Sequence, residues 1–141
     1  MAKQNKDYGY DIQKLYLEMM LQNAETFVRC QSIFDHSLCD RKLQDTAQFI
    51  NKYVTDYNQL PTYDIVNKSC SVDLKNTEQL TEEHFDWLLN DFETFVRHKS
   101  LERAILKSAD MLEKGEYGPA EDAHMVLDHL ISNYLMRLVR S

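Results

Sequence analysis

The side chains that could do chemistry are few, and the densest group lies in residues 35–40, with the sequence DHSLCD. There an Asp-His pair and a Cys-Asp pair stand close together, and this is the only tight cluster of metal-ligand types in the chain. A structural zinc site needs ligands that converge in tetrahedral geometry. No second pair stands at a suitable spacing, because His124 and His129 are five residues apart and fall on different faces of a helix. We therefore interpret DHSLCD as a polar turn between helices and expect no metal.

Nucleotide binding and acid–base catalysis are not indicated either. The chain has only 3 glycines, and neither G-x-x-x-x-G-K-[ST] nor G-x-G-x-x-G occurs in it. The adjacent carboxylates at 82–83 and 121–122 stand where helices are expected to begin, and a negative charge there is favoured by the helix dipole. No serine or cysteine nucleophile with its base is recognisable. We expect a protein that is not an enzyme and that has neither catalytic residues nor a cofactor.

The whole-chain composition predicts an all-α fold. With 3 Gly and 2 Pro in 141 residues, there is little from which to build turns, and 43% hydrophobic residues are enough for a core. The net charge of −7 disfavours a nucleic-acid surface, which relies on clustered Lys and Arg.

The cysteines and the hydropathy pattern predict a cytoplasmic protein. Cys30, Cys39 and Cys70 are odd in number and irregularly spaced, which is typical of reduced thiols. The sequence has no apolar run of about 18 residues and no signal peptide, so we expect no membrane association.

The longest helix is predicted for residues 81–114, which contain neither Gly nor Pro. Thr81 can cap its start, and Gly115 can end it in the left-handed conformation. Apolar residues recur at steps of three and four, the pattern of one helix face. They are Phe85, Leu88, Leu89, Phe92, Phe95, Val96, Ala104, Ile105, Met111 and Leu112.

Shorter helices are predicted on both sides of this element. Asp11 could cap a helix over 12–22, Asn23 a second, and Thr62 a short one, with a longer helix over about 40–57 between them. A helix over 120–139 follows Pro119. The prediction is a flexible N-terminus (1–10), a bundle of short helices (11–80), and a long antiparallel helical hairpin (81–140).

Two groups of aromatic residues could bind something or could be core. Phe49, Tyr53 and Tyr57, four residues apart, could stack bases, but few basic residues accompany them and core packing is favoured. For Phe92 and Phe95, the core of the hairpin junction and a partner-binding groove are nearly balanced. A hairpin that projects from its domain exposes apolar surface, which usually meets another chain.

Three stretches carry a resemblance to a known family. They read IQKLYLEMMLQNAETF from residue 12, NKYVTDYNQLPTYD from residue 51, and DWLLNDFETFVRHKSLERAI from residue 86. In their order, their apolar pattern and their single proline corner they resemble the N-terminal domain of replicative hexameric DNA helicases, the DnaB-like family. The T-even-type bacteriophage helicases are the most similar members. The resemblance covers about residues 12–118 and ends near Pro119, so whether 126–140 is native to the domain or a fused segment is left open.

The resemblance implies a protein-interaction domain. In that family the N-terminal domains form a collar on the hexamer, associate through their hairpins, and bind primase or a helicase loader, whereas the ATPase motor is a separate domain. We therefore expect self-association and primosome contacts in the host cytoplasm, without direct nucleic-acid binding by this domain. The residues expected to bind partners are apolar positions of the two hairpin helices. They are Phe92, Phe95, Val96, Leu101, Ile105, Leu127, Leu130, Ile131 and Leu135.

The interpretation as a helicase collar domain leads to one specific prediction. Two alternative functions are also considered. Phe95→Asp should abolish association or primase binding and leave helicity intact. A stand-alone acidic regulator that binds and inhibits a host protein would account equally well for the acidity. A helical DNA-binding protein is the weakest alternative, because the chain is acidic.

Overall fold

The computed structural model describes residues 8–76 and 79–114, and in these every regular element is a helix. The five α-helices are α1 (Tyr10–Met20), α2 (Ala24–Gln31), α3 (Arg41–Tyr57), α4 (Tyr63–Cys70) and α5 (Glu82–Lys114). A short 3₁₀ helix, His36–Leu38, precedes α3. The prediction of an all-α fold is thus confirmed for the part of the chain described, and α5 has nearly the predicted bounds. The predicted second arm of the hairpin, 120–139, lies outside the described residues.

The chain divides into two compact units, Met1–Val96 and Arg97–Ser141. The boundary falls inside α5, so the first half of this helix belongs to the same unit as α1–α4. The boundary predicted between bundle and hairpin was at residue 80. Of the predicted flexible N-terminus, residues 1–7 lie outside the described part, whereas the side chain of Tyr8 is buried in the first unit.

Local side-chain bonds explain where several helices begin. The Asn23 carboxamide oxygen accepts a hydrogen bond from the Thr26 amide at 2.9 Å, and the Thr62 hydroxyl accepts one from the Ile65 amide at 3.1 Å. Both caps were predicted, and each satisfies a backbone donor that the first turn leaves free. The cap predicted at Asp11 is wrong. Here α1 begins earlier, with Gly9 as its N-cap, and Asp11 lies in the first turn.

The start of α5 is closed by a reciprocal pair. The Thr81 hydroxyl accepts a hydrogen bond from the His84 amide at 3.4 Å, while the His84 Nδ1 accepts one from the Thr81 amide at 3.0 Å. This is the arrangement of a capping box, with a histidine in the place usually taken by Glu or Gln. Thr81 therefore caps the start of α5 through its hydroxyl, as the sequence predicts.

The core of the first unit is aromatic where α1 meets α5. The Tyr16 ring lies edge-on to Phe92 with centroids 5.6 Å apart and is 5.5 Å from the ring of Phe95. Phe34 packs edge-on to Phe92 at 5.2 Å, and Tyr8 lies 5.8 Å from Phe95. Aromatic pairs in these geometries contribute about 0.5–1.5 kcal/mol beyond the area they bury. The first half of α5 is thus held to α1 by a cluster of rings.

The segment after α4 is fixed by two polar anchors, although its composition predicts a loop. The Glu18 carboxylate accepts a hydrogen bond from the Lys75 amide at 2.9 Å, and the Glu18 carbonyl accepts one from the Tyr63 hydroxyl at 2.6 Å. The Asn67 side chain bonds both the amide and the carbonyl of Leu74, at 2.7 and 2.9 Å. These bonds hold the buried Leu74 in place.

Over the residues that the structure describes, no helix has the length and apolar character needed to cross a membrane.

Candidate partner-binding site

A cleft of about 370 Å³ lies between α2 and the first two turns of α5. The residues that α5 contributes are at positions 82, 85, 86 and 89, spaced so that they share one face of the helix. We call this surface the α2–α5 cleft. Its lining residues are Asn23, Glu25, Thr26, Arg29, Leu80, Glu82, Phe85, Asp86 and Leu89.

Half-buried apolar side chains form the floor of the α2–α5 cleft, whereas polar and charged side chains supply its rim and most of its accessible surface. Leu80, Phe85 and Leu89 are half-buried and pack against the hydrophobic core, so each leaves only part of its side chain accessible from the cleft. Glu82 and Asp86 are exposed on the same helix face. Apolar groups below and charged groups above form an amphipathic surface, of the kind seen where a protein binds another chain.

The charge of the rim is predominantly negative. Glu25 and Arg29, both on α2, form an exposed ion pair at 3.6 Å, so their charges largely offset each other. Glu82 and Asp86 form no ion pair with any described residue. Between positions 82 and 96 the sequence contains five carboxylates and no Lys or Arg. The two rim carboxylates of α5 are therefore available to a cationic partner, and their surroundings on the helix reinforce the negative potential.

The structure places two of the expected partner-binding residues in the core instead. Phe92 and Phe95 are 2% and 1% exposed, and both pack against Tyr16. Side chains buried this deeply present no surface to another protein, so their packing within the first unit accounts for them. Val96 is half-buried and packs against the same cluster. We therefore replace the partner-binding role expected for Phe92 and Phe95 with a structural one.

The other expected partner-binding residues lie in the second unit or outside the described residues. Leu101 and Ile105 belong to the second compact unit, where both are half-buried. Leu127, Leu130, Ile131 and Leu135 lie outside the described residues. Within the described part of the first unit, the structure brings together Phe92, Phe95 and Val96 from the expected set.

The α2–α5 cleft itself was missed by the sequence analysis. Glu82 was interpreted as a charge that favours the start of a helix, and Phe85 and Leu89 as part of one continuous apolar stripe. A usable signal was present, because Glu82, Phe85, Asp86 and Leu89 alternate charged and apolar types along one face. That α2 lies opposite this face depends on the tertiary fold and has no local signature.

The DHSLCD turn uses its polar groups for local structure. The Asp35 carboxylate accepts hydrogen bonds from the Ser37 amide and hydroxyl at 3.0 and 2.6 Å, and the Asp40 carboxylate caps α3 through the Lys42 amide at 2.9 Å. Burial, together with the nearby Asp35 and Asp40 charges, raises the pKa of the Cys39 thiol to about 12. Within the described ranges, no three His, Cys, Asp or Glu residues are grouped so that they could hold a metal ion.

The aromatic residues of α3 lie in a row that extends from the core to the surface. Ring centroids are 6.1 Å apart between Phe49 and Tyr53 and 4.7 Å apart between Tyr53 and Tyr57. Phe49 packs against the core, but Tyr57 is 64% exposed. Core packing, which the sequence favoured for all three, is therefore wrong for Tyr57.

Comparison of the chain with known proteins found no match. Neither the family models, nor the curated protein sequences, nor the solved structures with which the chain was compared gave a match. The geometry of the chain and its resemblance to the DnaB-like family are therefore the grounds for assigning a function.

Proposed function

We propose that this chain is a non-catalytic protein-interaction domain, and that it serves as the collar domain of a phage replicative helicase, where it binds primase or a helicase loader. The observation that carries the protein-binding part is the α2–α5 cleft, a mostly polar accessible surface with a half-buried apolar floor and an acidic rim. The helicase assignment rests on the sequence resemblance. The all-helical fold agrees with it but is common to many unrelated functions.

The character of the cleft favours a protein ligand over a small molecule. Small-molecule sites bury most of the ligand and direct a few polar groups inward. Here the carboxylates of Glu82 and Asp86 stand on an exposed rim, and the floor is only half-buried. A surface of this kind is better suited to a few side chains of a larger partner, with the remaining contacts supplied by its surroundings.

The test is a titration of the labelled protein with the primase and with the helicase loader from the same source, followed by fluorescence anisotropy at physiological salt. The proposal predicts saturable binding in about the micromolar range, the order typical of transient assemblies. Light scattering on the same samples reports self-association, which the collar assignment also predicts. A clean monomer that binds neither protein would overturn the helicase assignment and favour the acidic regulator of a host protein.

A further inference from the structure

We propose that the α2–α5 cleft binds a cationic amphipathic helix of the partner protein. Its apolar stripe would lie on Leu80, Phe85 and Leu89, and its Lys or Arg side chains would reach Glu82 and Asp86. This inference rests on the proposed function as a protein-interaction domain, and it specifies the chemistry of the segment that is recognised.

The apolar residues of the cleft are spaced to contact one face of a bound helix. Phe85 and Leu89 are one helical turn apart on α5, and Leu80 lies just before that helix in the same cleft. The cleft-lining stretch of α5, from Glu82 to Leu89, rises roughly 10 Å along the helix axis. Helices bound in grooves use apolar anchors at i, i+3 or i+4, and i+7, which cover about the same distance. Two or three such anchors match the length of the floor.

The charged residues of the rim favour a positively charged ligand. Two carboxylates on the α5 side of the rim have no ion-pair partner among the described residues, and the one cation of the cleft, Arg29, is already paired with Glu25. An acidic or neutral helix would leave these charges unmatched, whereas a basic one would pair with them. A second copy of this chain is disfavoured as the occupant, because its net charge is −7.

The experiment uses a synthetic peptide as the probe. It is a fluorescein-labelled amphipathic helix of about 18 residues, close to 27 Å long, with Leu on one face and Lys and Arg beside it. A second peptide has Glu at every Lys and Arg position. We expect the 141-residue chain to bind the basic peptide saturably and the acidic peptide far more weakly. Equal binding of the two peptides, or no binding of the basic one, would overturn the proposal.

Matched charge variants locate the contact. The double variant Glu82→Gln/Asp86→Asn removes two carboxylates from the cleft, whereas Glu83→Gln/Asp45→Asn removes two exposed carboxylates that do not line it. The cleft variant should bind the basic peptide about three- to tenfold more weakly, the sum expected for two exposed ion pairs, and the control should bind like the unchanged protein. Circular dichroism should show both variants folded. If both weaken binding equally, the attraction is general and the cleft is not the site.

The experiments distinguish failure of the cleft inference from failure of the proposed function. If primase or loader binds the unchanged protein and the cleft variant equally well, the proposed function stands and the cleft inference fails. If the basic peptide binds at the cleft while primase and loader do not, the cleft inference stands and the helicase assignment fails. A concentration-dependent dimer that only the cleft variant loses would identify a second copy as the occupant and overturn the proposal.

Discussion

The hydroxyl of Tyr16 donates a hydrogen bond to the Oδ2 of Asp91 across 2.6 Å, although 75 residues separate the two in the sequence. Tyr16 lies in α1 and is 1% exposed, while Asp91 is half-buried in the first half of α5. A charge-assisted bond of this kind is short and directional. It fixes the position of α5 on α1 within the first compact unit, at the edge of the aromatic cluster that contains Phe92 and Phe95.

Removing this hydrogen bond should measurably destabilise the first unit. We expect Tyr16→Phe to lower the free energy of unfolding by about 1–3 kcal/mol, because it keeps the ring and removes the hydroxyl that donates to the Asp91 carboxylate. Urea unfolding followed by the fluorescence of Trp87 measures the change. The matched control is Tyr57→Phe, at a ring that is 64% exposed. Equal unfolding midpoints for both variants would contradict the role assigned to Tyr16.

Stability should also fall at alkaline pH. Burial, and then the hydrogen bond and charge of Asp91, raise the pKa of Tyr16 well above its ordinary value of 10.0, and burial raises the pKa of Tyr63 to about 12. Below pH 10 both phenols are protonated in the folded and unfolded states, so their contribution is fully present. As the pH rises above 10, the unfolded chain loses these protons first, and stability declines.

The measurement is urea unfolding at a series of pH values from about 8 to 12, the range that brackets these two phenols. The double variant Tyr16→Phe/Tyr63→Phe should lose stability less steeply than the unchanged protein above pH 10. Parallel declines would show that other groups cause the alkaline loss.

Truncation of Phe95 should act on folding before it acts on binding. We expect Phe95→Ala to cost about 3–5 kcal/mol, since it leaves a cavity among Tyr8, Tyr16 and Phe92. Phe95→Asp should cost more and reduce the helical circular dichroism, in contrast to the sequence-based prediction that helicity is retained. The control on the same helix is Leu106→Ala, at a side chain that is 64% exposed. A folded Phe95→Asp protein that has lost only its binding would restore the original hypothesis.

The three cysteines should differ in reactivity. Burial raises the pKa of Cys30 to about 12, and burial with nearby carboxylates raises that of Cys39 to about 12, so both are protonated near neutral pH. Cys70 is only half-buried, and burial raises its pKa as well. With a disulfide reagent at about pH 8, where the thiolate is the reactive form, Cys70 should be modified first. Peptide mapping by mass spectrometry identifies the order, and early modification of Cys30 or Cys39 in the folded protein would contradict it.

The features that local chemistry determines were predicted from the sequence. The caps at Asn23 and Thr62 and the long α5 each depend on residues a few positions apart, so the pattern carries the information. Asp11 failed as a cap because Gly9 starts α1 earlier and its carbonyl accepts a hydrogen bond from the Gln13 amide at 3.2 Å. An acidic residue in the first turn and an acidic N-cap look alike in the sequence, since both are favoured there.

The candidate site was less predictable because it depends on distant neighbours. Whether Phe92 and Phe95 face a partner or the core is decided by Tyr16, which lies more than 70 residues earlier in the chain. The stripe on α5 looks the same in either case. The α2–α5 cleft likewise exists only because α2 lies beside the start of α5. No spacing within one helix encodes such a pairing.

The aromatic cluster between α1 and α5 has a consequence for synthesis. The first rings of that cluster, Tyr8 and Tyr16, leave the ribosome long before Phe92 and Phe95, so the nascent chain exposes an incomplete core until α5 has emerged. The earlier helices can pack on one another, but the part of α1 around Tyr16 that α5 covers stays exposed until then. Such exposed surface favours aggregation and is what chaperones bind. A gene product that stops before α5 should therefore be degraded or retained by chaperones instead of accumulating as a smaller folded domain.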